Sequence, residues 1–170
     1  MRRGYFAVGV WHPKREVNVG SIMRTAHLYG AAYTFTVGQR YERRQATDTS
    51  DSRKHVPMFV FDDIDDALAH LPYGCRLVGV ELAPRATPLA AFEHPERVCY
   101  LFGAEDHGLP PEVADRCADL VQIEAVEPWS MNVANAAAIV MHHRHTSNVR
   151  AVAGRGDGRS WLSVPVVVGS

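Results

Sequence analysis

The chain has 170 residues, 46% of them hydrophobic, and a formal net charge of −1. That suffices for one domain with its own core, and no apolar stretch approaches the roughly 20 residues a membrane span requires. Three cysteines, Cys75, Cys99 and Cys117, lie far apart and form no CxxC pair; no zinc or disulfide framework is readable, which fits a reducing, cytoplasmic setting.

The opening "MRRGYFAVGVWHPKRE" has two arginines but only a short apolar run, broken by Trp11, His12 and Pro13. It reads as a first strand, not a signal peptide. Residues 18–29 have helical spacing through Val19, Ile22, Met23, Ala26 and Tyr29, and Gly30 is placed to stop that helix. "YTFTVG" is rich in β-branched and aromatic residues and predicts a strand. A loop runs from Gly38 to Pro57. "MFVF" predicts a short strand, and "DDIDDALAHL" a short helix with acids in its first turn. "CRLVGVEL" and "VCYLFG" are buried-type strands, "PPEVADRC" a short helix and "LVQIE" another strand. A long last helix is expected from Ser130 onward. Strands alternating with helices predict an α/β fold with a mainly parallel sheet. The pattern places one domain over 1–148 and a flexible Gly- and Arg-rich tail over 149–170, where "SVPVVVGS" could add an edge strand.

Charge is unevenly distributed. Up to Lys54 there are ten Lys and Arg against four Asp and Glu; from His55 onward there are eight against fifteen. The basic share concentrates in "QRYERRQATDTSDSRKH", which holds Arg40, Arg43, Arg44, Arg53 and Lys54. Two readings stand: a solvated loop, or a patch for an anionic polymer such as RNA.

In parallel sheets, ligand chemistry gathers at the carboxyl ends of strands. Three segments fall there: "NVGSIMR", "LFGAEDHGLPPEV" and "IEAVEPWSMN". Singly, their Asn, Gly and Ser residues could be only caps and turns. No GxGxxG or GxxxxGK[ST] is present, which speaks against a dinucleotide fingerprint or a P-loop.

Taken together and in order, the three segments resemble the motifs of the SpoU (TrmH-type) RNA 2′-O-ribose methyltransferases of the SPOUT superfamily. The first, N-x-G-x-x-x-R, is met by Asn18, Gly20 and Arg24. The second, G-x-E-x-x-G-L, is met by Gly103, Glu105, Gly108 and Leu109. The third, S-[LM]-N-[VL], is met by Ser130, Met131, Asn132 and Val133. The resemblance implies an α/β knot: a mainly parallel sheet with helices on both faces and a C-terminal trefoil knot. It implies S-adenosylmethionine as cofactor, tRNA or rRNA as substrate, and a homodimer with active sites near the subunit interface. By motif match, Gly103, Ile123, Ser130, Met131 and Asn132 fall at cofactor-contacting positions. Asn18, Arg24 and Glu105 fall at catalytic and substrate-orienting positions. The first strand begins close to residue 1, so no N-terminal RNA-binding extension is expected.

One departure stands out. Many members carry "IPM" and a glycine ahead of the third motif; this chain has "IEAVEPWS", with Glu124 at the proline position. The chemistry can still be argued from residue types. A ribose hydroxyl is a poor nucleophile until its proton leaves, and an arginine beside it can stabilise the developing alkoxide and clamp a phosphate. A guanidinium is not deprotonated in proteins; an RNA phosphate held by Arg24 could share the proton, and the exact role of a catalytic Arg24 stays open. Glu105 could orient Arg24 or the first-motif loop, and Asn18 could fix that loop by backbone hydrogen bonds. Ser130 and Asn132 are expected both to start the last helix and to face the cofactor. His142 and His145 lie one helical turn apart, but no third ligand is evident and no metal is expected. The alternative function is a non-catalytic, knotted RNA-binding dimer.

Overall fold

A computed structural model describes residues 5–38, 56–127 and 129–153, with side chains described as far as residue 147. The predicted basic-loop residues 39–55 and the tail beyond 153 lie outside the described residues. β1 (Tyr5–Trp11) leads through a short turn into α1 (Glu16–Tyr29), then β2 (Tyr33–Val37) and β3 (Met58–Phe61). α2 (Ile64–Ala69), β4 (Arg76–Val80) and β5 (Thr87–Pro88) follow, then a 3₁₀ turn at Leu89–Ala91, β6 (Arg97–Phe102), α3 (Pro111–Ala114), β7 (Asp119–Gln122) and α4 (Val133–Ala153).

The strands form one sheet in the order β3-β2-β1-β6-β4-β7-β5, and every strand pair is parallel. Helices cover both faces, as the alternation predicts. Along β1, Phe6, Val8 and Val10 face one core, shared with Ile22 and Ala26 of α1 and Ala137, Val140 and Met141 of α4. Ala7 faces the other core, with Phe35, Leu77, Leu101 and Val113. Burial on both sides explains why these strands are near-continuous apolar runs.

Local chemistry sets most boundaries. Gly30 ends α1 at φ 72° and its N–H returns to the Ala26 and His27 carbonyls, a left-handed cap that costs glycine least. Asp63 caps α2, its carboxylate accepting from the Asp66 N–H. Three expectations shift. α1 begins at Glu16, not residue 18, because an acid suits the first turn. α4 begins at Val133, not Ser130, and runs to Ala153, past the boundary at 148. Residues 149–153 are "VRAVA", and the first strong breaker after them is Gly154. β5 is two residues long and pairs with β7, too short to leave a pattern in the sequence.

α4 is fastened to the sheet by a polar cluster. Arg144 is buried; it donates to the Pro95 carbonyl at 2.7 Å, the Glu96 carbonyl at 3.0 Å and the Tyr100 hydroxyl at 3.5 Å, and lies over the Phe6 ring. The Tyr100 hydroxyl meets His94 Nδ1 at 2.5 Å, and His94 Nε2 meets His143 Nδ1 at 2.8 Å. Burial, then the Arg144 charge and His143, lower the His94 pKa to about 4. Burial pushes the Tyr100 hydroxyl up to about 12.

Candidate active site

The sheet order decides which loops meet. β1 lies beside β6, while β2 and β3 extend to one side and β4, β7 and β5 to the other. β1 and β6 therefore open the kind of crevice at strand carboxyl ends where such folds bind ligands. From β1, the chain turns at His12, at φ 43°, and enters α1 with Asn18 in its first turn.

From β6, the chain enters a tight loop closed by reciprocal bonds between Ala104 and Gly108, both 2.9 Å. A Cβ on Gly103 would collide with the Gly108 backbone, and Gly108 sits at φ 64°. Both glycines are thus required for the loop to close. Glu81, at the end of β4, holds the far side of this loop: its carboxylate accepts from the Leu109 N–H at 2.5 Å and the Leu82 N–H at 2.9 Å. The loop presents Glu105 to α1. Glu105 Oε1 accepts from Asn18 Nδ2 at 2.6 Å, and its Oε2 lies 3.7 Å from Arg15 Nε.

From β7, the chain reaches α4 through residues 123–132. Asn132 is the cap: its Oδ1 accepts from the Ala134 and Asn135 N–H groups at 3.0 and 3.3 Å. Its Nδ2 donates to Asn18 Oδ1 at 3.3 Å. Asn132, Asn18 and Glu105 thus form one hydrogen-bonded run that joins all three motifs. Glu124, which stands where the family pattern has proline, accepts from the Leu89 and Ala90 N–H groups at 3.0 and 3.3 Å. A carboxylate there anchors the segment leaving β7 to the β5 turn, a bond that proline could not make.

A cleft of about 260 Å³ is lined by Arg15, Asn18, Glu105, Ser130, Met131, Asn132 and Val133. Of the expected site residues, Asn18, Glu105, Ser130, Met131 and Asn132 come together here. Gly103 shapes the loop from behind, and Ile123 packs half-buried against the core. Arg24 does not join them within this chain. It is exposed, and six residues turn a helix by roughly 600°, which leaves it about 120° from Asn18. Glu105 therefore engages Asn18 and Arg15 and not Arg24. Asn18 bonds through its side chain to Glu105 and Asn132 and through its backbone N–H to the Arg15 carbonyl at 3.2 Å. Ser130 lies ahead of the helix in the cleft wall, and among the described residues Asn132 caps it. Motif spacing does not single out Arg15; its only signal is a basic pair, Lys14 and Arg15, immediately before a helix start. Lys14 extends the contact, with Nζ 3.5 Å from Asp106 Oδ2.

The histidines have local partners. The Tyr29 hydroxyl meets His142 Nδ1 at 3.2 Å, and the Tyr29 ring lies 5.8 Å from His145. His107 is exposed, 3.6 Å from Asp106. Among the described residues no three His, Cys, Asp or Glu gather as a metal site, and no helix is long and apolar enough to cross a membrane.

The chain is 28% identical over 158 residues to the tRNA (cytidine-2′-O-)-methyltransferase TrmJ of Methanocaldococcus jannaschii, covering 82% of this chain and 66% of that protein. Its fold matches an AdoMet-bound rRNA methyltransferase from Sinorhizobium meliloti with a TM-score of 0.75 and 25% identity, over 85% of this chain and 57% of that one. It also matches the TrmH/SpoU tRNA modifying enzyme of A. aeolicus with a TM-score of 0.77 and 19% identity, over 95% and 84%. The chain thus spans just under two thirds of TrmJ. The model of the SpoU rRNA Methylase family matches residues 5–142, a span that contains all three motifs and every residue of the cleft, and the chain belongs to that family.

Proposed function

We propose that this chain transfers a methyl group from S-adenosylmethionine to a ribose 2′-hydroxyl of tRNA or rRNA in the cytoplasm, and works as a homodimer. The observation that carries this reading is the run Asn132–Asn18–Glu105, which unites the three family motifs at one cleft. The donor set suits the cofactor: the Ser130 hydroxyl and Asn132 amide offer neutral polar groups, and the Glu105 carboxylate offers a counter-charge for a cationic donor. When bound, S-adenosylmethionine supplies a methyl group already activated by positive sulfur, so the protein's task is the nucleophile. Glu105 and Asn132 hold Asn18 rigidly, and Glu81 holds the loop that carries Glu105. Such pre-positioning is what keeps reacting groups in a productive geometry.

Arg24 supplies the alkoxide stabilisation in this reading, across the dimer. On α1, Val17 is 70% and Leu28 is 60% exposed, and on the adjoining α4 Ile139 is 37% exposed. Arg24 falls in the same outward stripe as Val17, Ser21 and Leu28, at helical spacing. Two copies meeting on these helices would bury the apolar residues and carry Arg24 of one copy toward the cleft of the other. A trefoil knot belongs to the same reading: the Glu124 bonds draw the segment after β7 against the β5 turn. Arg40, Arg43, Arg44, Arg53 and Lys54 make the stretch after β2 strongly basic, and that charge supports phosphate contacts.

The test is transfer of labelled methyl from S-adenosylmethionine to RNA extracted from cells lacking this protein, with nucleosides identified by mass spectrometry. A 2′-O-methylated nucleoside appearing only with active enzyme is expected. Cofactor and RNA binding without any transfer would favour the non-catalytic RNA-binding dimer instead.

A further inference from the structure

At the amino end of the sheet, opposite the cleft, two thiols meet. Cys75 lies just ahead of β4 and Cys99 inside β6, with their sulfurs 3.6 Å apart. The Tyr33 hydroxyl is 3.1 Å from Cys99 Sγ, and Tyr5 neighbours Cys75. Cys99 is fully buried, whereas Cys75 is partly exposed. The third thiol, Cys117, is buried on its own and bonds the Val113 carbonyl. β4 and β6 are neighbours in register Leu77↔Cys99, so Cys75 and Leu77 share a face and both reach toward Cys99.

We propose that Cys75 and Cys99 are an oxidation site, a dithiol that a low-molecular-weight disulfide converts to an intramolecular bridge. The Cys75 thiolate attacks one sulfur of the oxidant RSSR, forms Cys75–S–S–R and expels RS⁻. The Cys99 thiolate then attacks Cys75 Sγ and expels the second RS⁻. The two protein thiol protons end on two RSH, so two protein thiols and one RSSR become one protein disulfide and two RSH. Three features suit this order. Only Cys75 is open to an oxidant. Cys99 is already in sulfur contact with it. Cys75 is outside the ladder, in a turn closed by its N–H to the Pro72 carbonyl and preceded by Gly74 at φ 72°. That turn can give the ~1.6 Å of approach that separates this contact from a disulfide of about 2.05 Å. Burial pushes the Cys99 thiol up to about 12, so the second step is the slow one and quickens with pH.

The full chain is incubated with oxidised glutathione, quenched by alkylation, and read by intact mass and peptide mapping. The expected product has lost two alkylatable thiols, retains no glutathione and yields one Cys75–Cys99 cross-linked peptide, while Cys117 stays alkylatable after unfolding. Dithiothreitol reverses it. Cys99→Ser should stop with one glutathione on Cys75, and Cys75→Ser should react at least tenfold more slowly. The bridged form should melt at a higher temperature with unchanged cofactor binding. A wild-type chain that keeps glutathione on Cys75, bridges through Cys117 or does not react overturns the proposal. If a serine variant fails to fold, the wild-type peptide map still decides.

Discussion

Asn18 and Glu105, 87 residues apart in the chain, are joined side chain to side chain at 2.6 Å. They meet because β1 and β6 are neighbours and each strand delivers its following loop to the same end of the sheet. Asn18 uses both ends of its amide, donating to Glu105 and accepting from Asn132, so loss of this one side chain disconnects all three motifs. Asn18→Ala should fold, lose about 1–2 kcal/mol of stability for a part-buried bond to a charged acceptor, and lose methyl transfer about 10–100-fold. Thermal unfolding beside single-turnover transfer checks both. Transfer within twofold of wild type would show that the run is only structural.

Arg24→Ala should unfold at the wild-type temperature and bind cofactor normally, because Arg24 is exposed and outside the cleft. Transfer should fall by about two to three orders of magnitude, the usual loss for one charge-stabilising donor. Arg24→Lys should rescue poorly, since an ammonium cannot form the planar fork.

The same variant tests the dimer. Mixed in equal amounts with Glu105→Gln and allowed to exchange subunits, Arg24→Ala should recover transfer. Half of the dimers would then be mixed, each with one of two composite sites intact, giving roughly a quarter of wild-type activity. No recovery after confirmed exchange would place Arg24 and Glu105 in the same copy's site.

Neutralising Arg43 and Arg44 should weaken RNA binding and lower the salt slope of log K by about 0.7–0.9 for each phosphate no longer neutralised. Cofactor affinity should hold. An unchanged slope, measured by titration at several salt concentrations, would mean that the loop is merely solvated.

Stability should depend on pH through His94. Its folded pKa, about 4, lies below the ordinary 6.5, so the unfolded chain takes the proton first. The contribution is complete above pH ~6.5, shrinks as pH falls toward 4, and is gone below that. His94 is half-buried, facing Arg144, His143 and Tyr100, so the effect is discounted for screening to on the order of 1–2 kcal/mol. Melting temperature against pH should show the decline, and His94→Asn should flatten it. An equal decline in that variant would assign it elsewhere.

Apart from the two-residue β5, the element order and the motif residues could be read from the sequence because they are local. Helical spacing marks α1, Gly30 marks its end, and an apolar run marks each buried strand; in the same way Asn18, Glu105 and Asn132 stand at fixed spacings within short motifs. Geometry between segments could not be read there. The order β3-β2-β1-β6-β4-β7-β5 depends on which buried faces fit together, and it alone brings Asn18, Glu105 and Asn132 to one cleft and Cys75 to Cys99. The same packing sets the phase of α1, which turns Asn18 inward and Arg24 outward although a single motif holds both. Glu124 shows the division most plainly. Along the chain it is a departure from a family pattern; in the fold its carboxylate fastens the segment after β7 to the β5 turn, because only tertiary structure brings the Leu89 and Ala90 N–H groups within its reach.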